Sequence, residues 1–145
     1  MEKDDLRVGS CLCGSVQIEI PKSQVDLGVC HCTNCQRWSG GPLFEIEGGT
    51  NVRFKGEEYI AEYQSSKWAV RGFCKKCGSH LFIRDENTGE YGIPPGLFED
   101  ETGLTLNRQV FVDHKPTYYS FSDDTRNITS EFIYKHFPHV REDKS

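Results

Sequence analysis

The sequence predicts a mainly β fold of short antiparallel strands with few short helical turns. Two observations carry that expectation. Apolar and polar residues alternate with a period of two along most of the chain, and Gly- and Pro-rich turns interrupt the alternation at short intervals. In addition, seven cysteines fall into three tight clusters, Cys11/Cys13, Cys30/Cys32/Cys35 and Cys74/Cys77, which suit metal cross-links in a fold of short strands.

The elements follow in chain order. Val16-Gln17-Ile18-Glu19-Ile20 reads as a half-buried strand closed by Pro21. Further strands are expected over residues 25–30, 43–47, 51–54, 68–73, 80–84, 109–113 and 117–121. Gly48-Gly49, Lys55-Gly56, Thr88-Gly89 and Pro94-Pro95-Gly96 mark the turns between them. Helical spacing is scarce: a turn or two over residues 33–38, capped by Thr33 or Asn34, and a short turn over 97–101. Charged tails are expected to fray over residues 1–7 and 141–145. The 145 residues read as a single domain, long enough to bury a core.

A formal net charge of −5 and a pI near 5.5 argue against a broad phosphate-binding surface, so no nucleic-acid partner is expected. The first residues, Met1-Glu2-Lys3-Asp4-Asp5, lack an apolar segment of the secretory type. No apolar run approaches the roughly 20 residues that span a bilayer. The expectation is a soluble protein of the cytoplasm or nucleus, without a membrane partner. In a reducing compartment clustered cysteines are metal ligands or catalytic groups rather than disulfides, and an odd number fits a disulfide framework poorly.

Residues i and i+2 of a strand share a face, so Cys11 and Cys13 can bind one ion together. Cys74-Lys75-Lys76-Cys77-Gly78 has the form of a zinc knuckle, with the glycine free to take positive φ. Together the two pairs supply four thiolates, a closed and therefore structural zinc site. Lys75 and Lys76 lie where they would offset its negative charge. Cys30 and Cys32 share a face, and Cys35 returns after one helical turn. Three thiolates leave one position of an ion open, the arrangement of catalytic zinc. The alternative is a closed site completed by His31, His80 or an acidic residue. His31 is a poor fourth ligand, because it faces away from its cysteine neighbours if the strand is regular.

Three blocks of the sequence then resemble a known family. They are Ser10-Cys11-Leu12-Cys13-Gly14, Cys30-His31-Cys32-Thr33-Asn34-Cys35-Gln36-Arg37 and Phe73-Cys74-Lys75-Lys76-Cys77-Gly78-Ser79-His80-Leu81-Phe82. In residue type, order and spacing they look like the glutathione-dependent formaldehyde-activating family, which includes centromere-protein-V-like members. The similarity spans about residues 7–121 and implies a zinc-bearing β-tent fold. It implies two Zn²⁺ per chain: a structural ion on Cys11, Cys13, Cys74 and Cys77, and a catalytic ion on Cys30, Cys32 and Cys35. The resemblance weakens at Leu106-Asn107-Arg108-Gln109-Val110-Phe111-Val112, where Gln109 stands in place of a common histidine. Tyr118 or Tyr119 lies near an expected tryptophan.

The activity so implied is that of a carbon–sulfur lyase or synthase. It would form or cleave S-hydroxymethylglutathione from glutathione, or a similar small thiol, and formaldehyde. An open zinc could hold the thiol as its thiolate. The developing alkoxide needs a proton or a positive donor, for which Arg37 and His31 are the local candidates. Two other readings stand beside it: a non-catalytic zinc-binding interaction module, and a zinc hydrolase using metal-bound water. Three thiolates acidify water poorly, which ranks the hydrolase last.

Overall fold

The computed structural model describes residues 5–141, and two β-sheets form its framework. The smaller sheet pairs β1 (Leu6–Ser10) with β2 (Gln17–Pro21), and β2 with β5 (Arg53–Lys55), all antiparallel. The larger contains β3 (Asp26–Cys30), β4 (Leu43–Gly49), β6 (Ile60–Gln64), β7 (Ala69–Cys74), β8 (His80–Asp85), β9 (Tyr91–Ile93), β10 (Thr105–Val110) and β11 (Arg126–Ile128). Its spatial order is β11-β10-β3-β4-β9-β8-β7-β6. Two α-helices complete the chain, α1 (Thr33–Ser39) and α2 (Ser130–His136), with short 3₁₀ turns between strands. The mainly β expectation therefore holds.

The alternation of β2 puts Ile18 and Ile20 at 0% exposure, and they meet Val16, Ile46, Leu81, Phe82 and Ile93 in the main core. Burying such side chains is worth about 1.5–3 kcal/mol each before chain entropy is charged. Cys11 and Cys74 belong to this core, so the quartet grows out of the apolar packing. A second cluster surrounds the triplet: Cys30, Cys35, Leu43, Ala69, Ile83 and Phe111.

Several details depart from the expected elements. Strand β10 runs parallel to both β3 and β11, because the chain enters it from the loop after β9 rather than by a hairpin. Residue alternation does not encode direction. The strand expected over 109–113 stops at Val110: Phe111 adopts φ 56 and a 3₁₀ turn follows over Val112–His114. Residues 117–121 form no strand. There Tyr119 packs on His31 instead, and its carbonyl accepts from Lys115 Nζ at 2.5 Å. The turn placed at 97–101 occurs slightly earlier, at Pro95–Leu97.

The N-terminal tail expected to reach residue 7 ends sooner. Arg7 sits in β1 at 1% exposure and donates to the carbonyls of Asp100 and Thr102 at 2.5 and 2.9 Å. Those bonds tie β1 to the loop before β10. The remainder of both expected tails, residues 1–4 and 142–145, lies outside the described residues.

Candidate metal centres and the cavity they face

The sulfur atoms of Cys11, Cys13, Cys74 and Cys77 all lie within 4.8 Å of one another. Cys13 Sγ is 3.7 Å from Cys11 Sγ and 3.8 Å from Cys74 Sγ. A tetrahedral zinc with bonds of about 2.3 Å requires sulfurs about 3.8 Å apart, so the donor set fits Zn²⁺. Backbone geometry supports it. Gly14 and Gly78 follow the second cysteine of each pair with φ of 81 and 78. The Val16 N–H reaches Cys11 Sγ at 3.3 Å. Ser79 Oγ lies 3.2 Å from Cys77 Sγ and accepts from the Leu12 N–H at 3.0 Å, so one hydroxyl joins both halves of the site. Through the Ser79 side chain and backbone, the Cys77 thiol is lowered to about 5, where it is a thiolate at neutral pH.

The triplet forms where β3 ends and α1 begins. Cys32 is the N-cap of α1, and its Sγ accepts from the Cys35 N–H at 3.4 Å, a role the sequence reading gave to Thr33 or Asn34. The sulfurs of Cys30, Cys32 and Cys35 lie within 4.8 Å of one another, and among the described residues no fourth His, Cys, Asp or Glu joins them. Hydrogen bonds from the Cys30 and Cys35 thiols pull Cys32 down to about 2. Bonding to Cys32 pushes Cys30 well up. Three convergent sulfurs sharing one negative charge are a soft donor set of the kind that selects zinc.

The cation beside the triplet is Arg71, which the sequence reading missed. It is 3% exposed, and both terminal nitrogens lie 3.7 Å from Cys35 Sγ. Its Nε donates to Ser65 Oγ at 2.9 Å, and its guanidinium lies 5.1 Å from the Trp38 ring centroid. Trp38 in turn stacks on His80 at 3.9 Å. The one sequence signal for Arg71 was a lone charge in an otherwise apolar strand, with a glycine after it.

The structure does not bring Arg37 or His31 to the triplet. Arg37 is exposed on the outer side of α1, beside a shallow depression it shares with Gln36 and Tyr118. His31 is fully buried on the opposite side of the strand end, as its alternation predicts. Its Nδ1 lies 2.6 Å from Tyr119 Oη and its Nε2 2.8 Å from Gln109 Oε1. Burial lowers its pKa. Gln109 thus serves His31, and the departure from the family pattern lies outside the cavity wall.

All three triplet cysteines line a cavity of about 560 Å³, within the range of small-molecule sites. Its polar side carries Arg71, Glu45 and Arg108. Glycines make the room: a Cβ at Gly92 would sit 2.1 Å from Glu45 Oε2, and one at Gly28 would sit 2.8 Å from Arg108 Cζ. Arg108 is paired with Glu47 at 3.0 Å. Burial, opposed by Arg71, raises the Glu45 carboxyl to about 7. The apolar side consists of Trp68, Ile83 and Phe111 together with α2 and the turn after it.

Two packed sheets, a thiol quartet at their junction and a thiol triplet facing a cavity define a mainly β protein with two candidate metal centres. The chain belongs to the glutathione-dependent formaldehyde-activating enzyme family, whose model matches residues 6–114. A Schizosaccharomyces pombe protein named as an uncharacterized lyase is 30% identical over 128 residues, covering 88% of this chain and 93% of its own. A crystal structure of a Rhodobacter sphaeroides protein superposes with a TM-score of 0.55 at 26% identity. That match covers 63% of this chain and 87% of the other. Among the described residues no helix is long and apolar enough to cross a membrane.

Proposed function

We propose that the protein forms or cleaves the carbon–sulfur bond of an adduct between a small thiol and an aldehyde. Glutathione and formaldehyde are the pair the family description names. The observation that carries this reading is the triplet, three sulfurs on a cavity wall with no fourth protein donor among the described residues. The lyase name of the yeast relative supports the same class of reaction. Cys30, Cys32 and Cys35 would hold one Zn²⁺, and Cys11, Cys13, Cys74 and Cys77 a second with a structural role. Bound at the triplet, zinc supplies a Lewis acid that keeps a coordinated thiol deprotonated.

The chain's own residues supply the rest. In the cleavage direction the C–S bond of RS–CH₂–OH breaks and its electron pair stays on sulfur. The hydroxyl loses its proton as the C=O bond of formaldehyde forms, and RSH leaves once the sulfur regains one. Glu45, raised to about 7 and lining the same cavity, is suited to take and return that proton near neutral pH. Arg71 holds positive charge against the sulfurs. The apolar walls keep water from competing for the aldehyde. Arg71 and Glu45 thus assume the roles that proximity in sequence had given to Arg37 and His31.

The test compares wild type with Cys32→Ala for zinc per chain and for formaldehyde–glutathione exchange followed by NMR. Two zincs and accelerated exchange in wild type, with one zinc and no acceleration in the folded variant, support the reading. Exchange at the uncatalysed rate with both zincs bound overturns the glutathione–formaldehyde assignment.

A further inference from the structure

The family match ends at residue 114, yet the cavity does not. Ile133, Tyr134, Phe137 and Val140, all beyond that limit, line the same cavity as the triplet. Ile133, Tyr134 and Val140 pack against the cluster containing Cys30, Cys35, Ile83 and Phe111. Phe137 keeps 48% of its surface exposed at that wall, an apolar face without a full set of neighbours.

Specific contacts fix this segment in place. Asp113 accepts from the Ser130 N–H at 2.8 Å and from the Ser130 hydroxyl, and Thr129 Oγ1 caps α2 by accepting from the Phe132 N–H at 3.3 Å. Beyond α2, His139 Nε2 lies 2.9 Å from Asp85 Oδ2 on β8. Tyr134 meets Phe111 edge-on at 5.8 Å. The left-handed φ of Phe111 is a conformation that costs a bulky residue energy, and it directs the chain into the turn carrying Asp113.

The charges of the cavity point the same way. Both arginines among its described lining residues are already engaged: Arg71 with Cys35 and Ser65, and Arg108 with Glu47. The lining carboxylates are Glu45, Glu47, Asp85 and Glu90. A ligand bearing two carboxylates, as glutathione does, would find no unengaged arginine in this lining and would face Glu47, Asp85 and Glu90. Charges buried without a partner are strongly disfavoured. An uncharged apolar substituent would instead cover Phe137 and Tyr134.

We infer that the segment after residue 114 is a specificity wall, and that this cavity selects thiol adducts carrying an uncharged apolar group over adducts of glutathione. The inference rests on the functional reading above and narrows its thiol. Benzyl mercaptan is the probe, compared with glutathione by isothermal titration calorimetry on the zinc-loaded full chain. Cleavage of the hydroxymethyl adducts of both thiols is followed in parallel. Wild type should bind benzyl mercaptan at least tenfold more tightly and show the same preference in kcat/KM. Phe137→Arg, at a half-exposed position, should erase most of that preference with zinc content unchanged. Ile133→Ala should weaken benzyl mercaptan alone. Equal or tighter glutathione binding in wild type overturns the selectivity, and an unchanged ratio in both wall variants overturns the role of the segment. If Cys32→Ala leaves the binding of both thiols unaltered, the placement of the thiol at the triplet fails, and the functional reading with it.

Discussion

Arg71 aims both terminal nitrogens at Cys35 Sγ, each at 3.7 Å, from a site only 3% exposed. A buried guanidinium persists when opposite charge faces it, and here that charge is the thiolate triplet. Arg71→Met should therefore weaken metal binding at the triplet by about 10- to 100-fold, as loss of an outer partner does at other metal sites. The quartet should keep its affinity. Arg71→Lys should recover only part of the loss, because an ammonium cannot reproduce the two-pronged contact. Titration against a chromophoric chelator resolves the two ions, and equal affinities in wild type and Arg71→Met would remove Arg71 from the site.

The two thiol groups should differ in what they contribute to the fold. The quartet joins the loop between β1 and β2 to the end of β7, with Cys11 and Cys74 buried in the main core. Closing it with zinc contributes on the order of 10 kcal/mol in small zinc domains. Cys74→Ala should lose one zinc and most cooperative unfolding, and stripping both zincs from wild type with a chelator should likewise abolish cooperative unfolding. The triplet joins β3 to α1 within only six residues of chain, so Cys32→Ala should lose one zinc and shift the midpoint slightly. Denaturant melts with parallel zinc assays measure both.

Strand alternation and cysteine spacing make the scaffold legible: β2, β3, β4, β7 and β8 fall where period two puts them, and spacing alone groups the thiols as the structure does. The misses share a cause. Strand β6 lies at a sheet edge with most side chains outward, so no apolar stripe announces it. Arg71 reaches the triplet from 36 positions along the chain, Glu45 from the neighbouring strand β4 and the α2 wall from the far end of the chain, and nothing local in the sequence records such meetings. Arg37 and His31 stand near the triplet along the chain only. Helix α1 turns the first outward, and strand alternation carries the second to the other face.

Gly72 illustrates a constraint that composition hides. It sits in β7 opposite Phe82, and a Cβ there would lie 2.2 Å from the Phe82 ring. Phe82 is 2% exposed and contacts Phe54 and Tyr91, so the ring has little space to retreat. Gly72→Ala should destabilise the protein by about 1–3 kcal/mol through overpacking. Adding Phe82→Leu should return part of that loss, giving a coupling of opposite sign to the single effects. Additive losses in the double variant would show that the two positions are independent.

Glu45 gives the protein a pH dependence whose sign can be worked out. Burial first, partly opposed by Arg71, raises its carboxyl from 4.5 to about 7 in the folded state. Between those values the native state binds more protons than the unfolded chain, so stability falls as pH rises and levels off above about 7. The shift sets an upper bound of roughly 3 kcal/mol, at about 1.4 kcal/mol per pH unit. Glu45→Gln should match wild type near pH 5 and exceed it in stability by pH 8. The same variant should lose the bend near pH 7 in the kcat/KM profile, since an amide cannot carry the proton. Denaturant melts of both zinc-loaded proteins from pH 5 to 8 measure the first effect. A constant stability difference across that range would show that Glu45 is ionised throughout, and would leave the proton transfer to another group.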